Sequence, residues 1–347
     1  AKGARQLGAE VHRFTKVKET NPRPDGAWEI VTDKGTVVAE HLVNAAGLWA
    51  REVGHMAGVD FPVIPMEHMY FVTEAVPEIE AMDRELPSIS DRDAEYYMRQ
   101  EGKGMLMGTY EPNGIPWSPT EAPWDFSTEL LPPDLDQIAD NLERGFKHHP
   151  AFQNAGIKNI INGPFAFGPD GNPLVGPIRG LQNYWVACGV MAGFSQGGGV
   201  GLALSNWIVD ADPGFDVWAM DIARYGSYAN MAYTNKKVQE NYSRRFSIKF
   251  PNEELPAARP YKTTPIYDRL DAMGAQWGDS WGLEAPLWFS PDGTKDVFSW
   301  RRSTDFEHVK AEVAAVRESV GCMEISGFCK FMIRGSGARA WLDRMLA

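Results

Sequence analysis

The chain is 347 residues long, and its 34 lysines and arginines against 46 aspartates and glutamates leave a formal charge of −12 at pH 7. That length accommodates two or three domains, each able to bury an ordinary core without metal or disulfide staples. The acidic balance, with no Lys/Arg-rich stretch to offset it, excludes a nucleic-acid partner, because phosphate backbones would be repelled.

The first line, without an initiator Met, reads as a helix end running into a strand, so both ends of the chain are expected to be cut from a longer product. Val11 to Thr20 alternates loosely, Pro22–Gly26 is turn chemistry, Trp28–Thr32 is a strand, and Asp33-Lys-Gly35 is a hairpin turn. A third strand, Thr36 to Asn44, delivers Ala45-Ala-Gly47 and a helix from Leu48 to Ala57. An apolar strand ending in a small-residue turn and a helix brings backbone close to a dinucleotide; a helix-packing turn gives the same three residues.

Short strand-like runs at 69–73, 95–99 and 104–110 suggest an antiparallel sheet laid beside the nucleotide-binding part. Pro132 to Phe146 reads as a capped helix with Leu135, Ile138 and Leu142 on one face. Phe167–Pro173 is a tight Gly/Pro loop, and Asn183–Cys188 is a strand. Gly189 to Gly199 then leads into a helix through Val209, a glycine-rich junction whose backbone N–H groups can meet an anionic or carbonyl-rich ligand. Residues 222–290 read as an irregular connecting domain. Phe306 to Val320 is an amphipathic helix, and Cys322–Ile325 and Cys329–Arg334 alternate as strands of a further domain.

Absent signals narrow the chemistry. There is no Gly-x-Ser-x-Gly elbow, no His-Glu-x-x-His and no phosphate loop. Three cysteines, Cys188, Cys322 and Cys329, make no disulfide framework or zinc knuckle. No apolar run reaches the ~20 residues that span a bilayer. A soluble protein in a reducing compartment follows, with no membrane partner. His148-His149 looks metal-like on paper, but adjacent residues at a helix end point apart, so no metal site is assigned. Cys188 reads as inert strand packing.

Several segments, in this order, resemble one family: Val43–Trp49, Phe167–Gly176, Asn183–Ala187, Gly197–Gly201, Asp221–Tyr225, Thr264–Leu270, Gly282–Phe289 and Val313–Gly321. The family is the flavin-dependent dimethylglycine and sarcosine dehydrogenases and oxidases, in which an amine-oxidase-type FAD module precedes a folate-binding aminomethyltransferase-type module. The resemblance implies an α/β (α+β) architecture. It places a partial Rossmann-like FAD domain with an antiparallel substrate-side sheet at 1–221, a connecting domain at 222–290, and the start of the folate module at 291–347.

The implied activity is oxidative demethylation of an N-methyl amino acid, dimethylglycine-like. Hydride goes to flavin N5, and the one-carbon unit leaves as formaldehyde or passes to tetrahydrofolate, whose site lies mostly outside this segment. A sarcosine or other N-methylamine oxidase, and a non-catalytic regulatory protein of the same architecture, are the alternatives. Electrons would go to oxygen or to an electron-transfer flavoprotein. The setting would be a bacterial cytoplasm, or the mitochondrial matrix in a eukaryote.

By resemblance, His68 in Pro65–Tyr70 is the histidine on the substrate-side strand, and Tyr97 in Glu95–Met98 is the tyrosine facing the flavin. A register error of one residue would exchange Tyr97 for Tyr96. An imidazole can favour the deprotonated amine, and a phenol can orient it. The resemblance also places Val11 at the adenine end, Ala45, Ala46 and Gly47 near the dinucleotide, Val190, Met191, Ala192 and Gly193 around the flavin ring, and the Asp170-Gly171 turn beside it. The N-terminal Gly-x-Gly-x-x-Gly segment of that family is missing here, as is a histidine that would carry the flavin covalently.

Overall fold

The computed structural model describes residues 1–346, which divide into two compact units, residues 1–249 and residues 250 onward. In the first, a short helix α1 (Lys2–Gln6) precedes an antiparallel meander of β1 (Val17–Pro22), β2 (Trp28–Thr32) and β3 (Gly35–Ala39). The first strand starts later than its alternation suggests. Exposed Phe14 sits at φ 53°, in the left-handed region, and interrupts the extended backbone.

The single strand expected over 36–44 is two strands, β3 and β4 (Leu42–Asn44), in different sheets. Between them His41 Nδ1 accepts from Trp185 Nε1 at 3.1 Å, which ties the crossing to the sheet that β4 joins. A helical turn at Gly47–Trp49 and α2 (Ala50–Met56) follow.

Next come β5 (Ile64–Thr73), α3 (Pro77–Glu80), β6 (Ile89–Asp91), β7 (Tyr96–Glu101), β8 (Gly104–Thr109), α4 (Ala139–His148) and β9 (Ile157–Phe167). The five strands form an antiparallel sheet ordered β6-β7-β8-β5-β9, as the sequence suggests in kind. Its two faces follow the period of two. Met69, Phe71, Tyr96, Met98, Met105 and Met107 pack on one side with Ile138 and Leu142 of the α4 region. Ile64 and Met66 point to the other side, where α6 (Met231–Ser243) supplies Val238 and Tyr242.

The third sheet, β10-β11-β4, joins β10 (Leu174–Pro177) and β11 (Tyr184–Cys188) to β4. Strands β4 and β11 run parallel, with Val186 opposite Asn44. Helix α5 (Gly193–Asp210) begins four residues earlier than Gly197, so Gly197, Gly198 and Gly199 lie inside a helix, and only residues 189–192 form the junction. Residues 222–249, read from sequence as part of an irregular connecting domain, fall in the first unit and include the 13-residue α6. Asn230 caps this helix by accepting from Tyr233 N.

The second unit holds α7 (Tyr267–Ala272), the hairpin β12 (Ala275–Ser280) and β13 (Leu283–Phe289), α8 (Phe306–Glu318) and α9 (Ala338–Leu346). The strands expected at 322–325 and 329–334 do not form. Met323, Ile325, Phe328, Phe331 and Met332 stand exposed, and an alternating run without a paired strand has no ladder to satisfy its backbone. No helix among the described residues is long and apolar enough to cross a membrane.

Candidate active site

His68 lies mid-way along β5, on the sheet face that also carries Ile64 and Met66. Tyr97 is on β7, two strands away, and yet its hydroxyl is 3.0 Å from His68 Nε2. Two strand spacings amount to about 9.6 Å, so the phenol must cross the intervening β8. It does so over Gly108, the register partner of both Tyr97 and Tyr70. A Cβ there would lie 2.2 Å from the Tyr97 ring carbon and hydroxyl. Gly163, opposite His68 on β9, likewise adds no side chain beside the imidazole.

Strand alternation sends Tyr96 to the opposite face, where it is fully buried and its hydroxyl lies 3.1 Å from His149 Nε2 and 3.4 Å from His148 Nδ1. His148 also meets Asp91 Oδ2 at 2.8 Å. The two histidines therefore converge, contrary to the expectation that they point apart. His149 is the residue at which the backbone leaves the helix (φ −129°, ψ 74°), and this turns its ring back. Among the described residues no group of three or more His, Cys, Asp or Glu could hold a metal.

Around His68 the rings of Tyr110 (centroids 4.8 Å apart), Phe165 (5.0 Å) and Tyr242 (6.1 Å) complete an aromatic enclosure, and Phe246 stands 4.8 Å from Tyr110. Burial holds the imidazole at a pKa of about 4, so it is neutral at physiological pH. Burial also raises the hydroxyl pKa of Tyr97, Tyr110 and Tyr242.

Behind the histidine sits a group with no obvious sequence signal. Tyr242 Oη lies 3.1 Å from His68 Nδ1 and donates to Glu111 Oε1 and Oε2 at 3.0 and 3.1 Å, while Thr109 Oγ1 donates to Oε2 at 3.2 Å. Glu111 stands two residues past the end of β8 and is buried, which raises its carboxyl pKa. Tyr242 lies on the stripe Thr234, Val238, Tyr242 at i, i+4, i+8, a helical period inside a segment whose Arg, Lys and Tyr content masks it. Gly114 makes room for it, since a Cβ there would lie 2.3 Å from the Tyr242 ring.

A second constellation forms at the carboxyl ends of the parallel strands β4 and β11, where open α/β sheets receive ligands. Ala45–Gly47 leave β4, and Gly189–Ala192 leave β11 and open α5. Asn44 fixes the first turn: Oδ1 accepts from Ala46 N at 3.2 Å, and Nδ2 donates to Ala50 O at 2.8 Å. Gly47 has φ +56°, and space is open where a Cβ would stand at Gly47, Gly193, Gly197, Gly198, Gly199 and Gly201. Met191 packs against the cluster that contains Tyr242 and Phe165, so this junction abuts the His68 enclosure.

The Asp170-Gly171 turn is held by Arg224. The fully buried guanidinium makes two bonds to Asp170, at 2.8 and 3.0 Å, and one to Asn172 O at 3.3 Å. Gly171, at φ +70°, lies against Asn241 and Arg245 at the end of α6. Val11 is in the exposed stretch before β1, its carbonyl accepting from Arg5 at 3.1 Å. Cys188 is buried, and burial pushes its thiol up to about 12.

Family models match along the chain: FAD dependent oxidoreductase at residues 1–207, FAD dependent oxidoreductase central domain at 212–264, and GCVT N-terminal domain at 266–347. Mitochondrial dimethylglycine dehydrogenase of Mus musculus is 40% identical over 355 residues, covering 100% of this chain and 41% of that protein. The mitochondrial pyruvate dehydrogenase phosphatase regulatory subunit of Mus musculus is 31% identical over 350 residues, covering 98% of this chain and 39% of its own length. The chain thus spans about two fifths of the curated relatives it matches. A solved structure, L-proline dehydrogenase from P. horikoshii, matches with a TM-score of 0.52 at 22% identity over 72% of this chain and 59% of that one, a likeness of fold alone. With the oxidoreductase model matching well over half of its length, the chain belongs to the FAD dependent oxidoreductase family.

Proposed function

We propose that this chain is the substrate-side part of a flavoprotein that oxidises the N-methyl group of a dimethylglycine-like amino acid. What supports it most directly is the His68–Tyr97 pair, joined at 3.0 Å on one sheet face, with Met191 of the strand-end junction packed against the cluster that holds Tyr242, the tyrosine on the other side of His68. The 40% identity to a dimethylglycine dehydrogenase supports the substrate class.

FAD fits the residues present. Gly47 in the turn after β4 and the glycines of the first turns of α5 have open space where a Cβ would stand, and buried Gln196 Oε1 has no hydrogen-bond partner in the protein. Ala45, Ala46 and Gly47 would hold the dinucleotide, Val190, Met191, Ala192 and Gly193 the ring end, and the Asp170-Gly171 turn its edge, with Val11 toward the adenine. When bound, FAD supplies the hydride acceptor.

The chain's own residues then position the amine. Tyr97 presents a hydroxyl to its nitrogen, His68 fixes that hydroxyl, and the rings of Tyr110, Phe165 and Phe246 exclude water. The pair sits where a neutral amine is required, because an ammonium has no lone pair to support hydride loss from its methyl group.

The GCVT N-terminal domain match at 266–347 supports a folate-type module. In this match the apolar side chains of Val320, Met323, Ile325, Phe328, Phe331 and Met332 stand exposed. We place the protein in the mitochondrial matrix if eukaryotic, in keeping with the word mitochondrial in the names of the mouse relatives, and otherwise in a bacterial cytoplasm.

The test is an anaerobic titration of the full-length flavoprotein with dimethylglycine, sarcosine and longer N-methyl amino acids, followed by the flavin's visible absorbance. Bleaching by one of them is the expected result. A flavin that none of them bleaches removes the substrate class, and a full-length protein that holds no flavin turns the reading to a regulatory protein.

A further inference from the structure

Resting on that reading of the site, we infer that Tyr97, His68, Tyr242 and Glu111 form a directed proton relay that takes the ammonium proton of the bound amine and stores it on the Glu111 carboxylate. The direction follows from hydrogen-bond chemistry. A carboxylate only accepts, so the Tyr242 hydroxyl hydrogen is committed to Glu111, at 3.0 and 3.1 Å. The Tyr242 oxygen can then only accept from His68, 3.1 Å away, and Nδ1 carries the ring proton. A neutral imidazole leaves Nε2 as an acceptor, so the Tyr97 hydroxyl donates to it across 3.0 Å. Every hydrogen in the chain points from the enclosure toward Glu111.

The step balances. The ammonium gives its proton to the Tyr97 oxygen as the Tyr97 hydrogen passes to His68 Nε2. The Nδ1 hydrogen passes to Tyr242, and the Tyr242 hydrogen passes to Glu111, which becomes a carboxylic acid. The free amine, with its lone pair restored, is the form that could give up hydride to FAD held by these turns. His68 ends neutral, with its proton on Nε2.

Burial makes Glu111 the resting place. Desolvation raises its carboxyl pKa, whereas it holds the imidazole at about 4, too weak a base to keep the proton. Tyr242 is fully buried and Glu111 nearly so, which closes the shorter exit to water. Arg99 is the cation whose charge reaches Tyr97, and Arg245 the one whose charge reaches Tyr110. Tyr70 and Tyr110 are the other phenols beside it, and Gln137 also bonds Glu111. Tyr242 and Glu111 touch no substrate and act through His68, as positioning residues.

The experiment compares the wild-type full-length flavoprotein with Glu111→Gln and Tyr242→Phe, which keep shape and packing. Flavin reduction at low amine concentration is followed from pH 6 to 10. With the relay, the wild-type rate is nearly level below the amine's own pKa. Each variant falls by about 100-fold at pH 7, and the deficit closes tenfold per pH unit.

Independently of any amine, ¹⁵N-histidine NMR shows His68 as the Nδ1–H tautomer in the wild type and a switch to Nε2–H in Tyr242→Phe. The His68 resonance is assigned by its loss in His68→Gln. Parallel pH profiles, or an Nε2–H tautomer in the wild type, overturn the relay while leaving the oxidase reading standing. A wild type bleached by no N-methyl amine overturns both.

Discussion

Replacing Gly108 by alanine tests the geometry of the site without touching either member of the pair. The new Cβ would stand 2.2 Å from the Tyr97 ring carbon and hydroxyl, against 3.4 Å for an ordinary contact, so the phenol tip must move by about 1.2 Å. A displacement of that size carries the hydroxyl from 3.0 Å to about 4 Å from His68 Nε2, beyond hydrogen-bond reach. Overpacking of this kind costs about 1–3 kcal/mol, too little to unfold a domain of this size.

The expected phenotype is a flavoprotein that keeps its FAD spectrum, loses a few degrees of thermal stability, and reduces its flavin about 100-fold more slowly, as Tyr97→Phe should. The assay is anaerobic rapid mixing of wild type, both single variants and the double variant. Because both substitutions remove one interaction, the double variant should be no slower than Tyr97→Phe alone. Turnover in Gly108→Ala within about twofold of wild type, or losses that multiply in the double variant, would refute the crossing of Tyr97 over β8 as the source of the pair.

His68 titrates at about 4 when folded and near 6.5 when unfolded, so the unfolded chain binds more protons between those values, and His68 contributes stability that is lost as pH falls through this window. At most about 3 kcal/mol is involved. Glu111, with its pKa raised by burial, works in the opposite sense as pH rises. The His68 share is therefore read as the difference in unfolding midpoint between wild type and His68→Gln, which should widen from pH 4 to 6.5 and then stay constant. Asp170→Ala leaves the buried Arg224 guanidinium without its carboxylate and should cost about 3 kcal/mol, partly recovered in Asp170→Ala/Arg224→Met, as thermal melts would show. Gly171→Ala, strained at φ +70° and 2.7 Å from Asn241 Oδ1, should weaken flavin retention measured by ultrafiltration before it lowers the melting temperature by more than a few degrees. Cys188, buried with its thiol held near 12, should resist maleimide until the protein is unfolded.

His68 and Tyr97 were singled out by the resemblance, and the residues alone gave less of the candidate site. The alternation of Glu95-Tyr-Tyr-Met98 separates Tyr96 from Tyr97 by face, and small residues after Asn44 and Cys188 mark the strand ends that the parallel pairing brings together. Glu111 was not legible, because a lone acidic residue after an apolar strand looks like any strand end until α6 folds over it. Tyr242 was hidden for the same reason. Its helical stripe is only three residues long and sits among charged neighbours. The extra break between Ala39 and Leu42, and the absence of strands after Cys322, are failures of one kind: a period of two shows extended preference, and pairing partners decide whether a ladder forms. Gly108 carried the least signal of all, since its role depends on a ring that comes from the neighbouring strand, 11 residues away in sequence, and crosses over it.

The measurement that bears most directly on the central claim is the rate of anaerobic flavin reduction by dimethylglycine deuterated either at its two N-methyl groups or at its methylene carbon. Oxidation of the N-methyl group gives a primary isotope effect with the deuterated methyls, none with the deuterated methylene, and a rate about 100-fold lower in Tyr97→Phe. An isotope effect that follows the methylene instead would place the amino acid the other way round in the His68 enclosure and contradict oxidation of the N-methyl group.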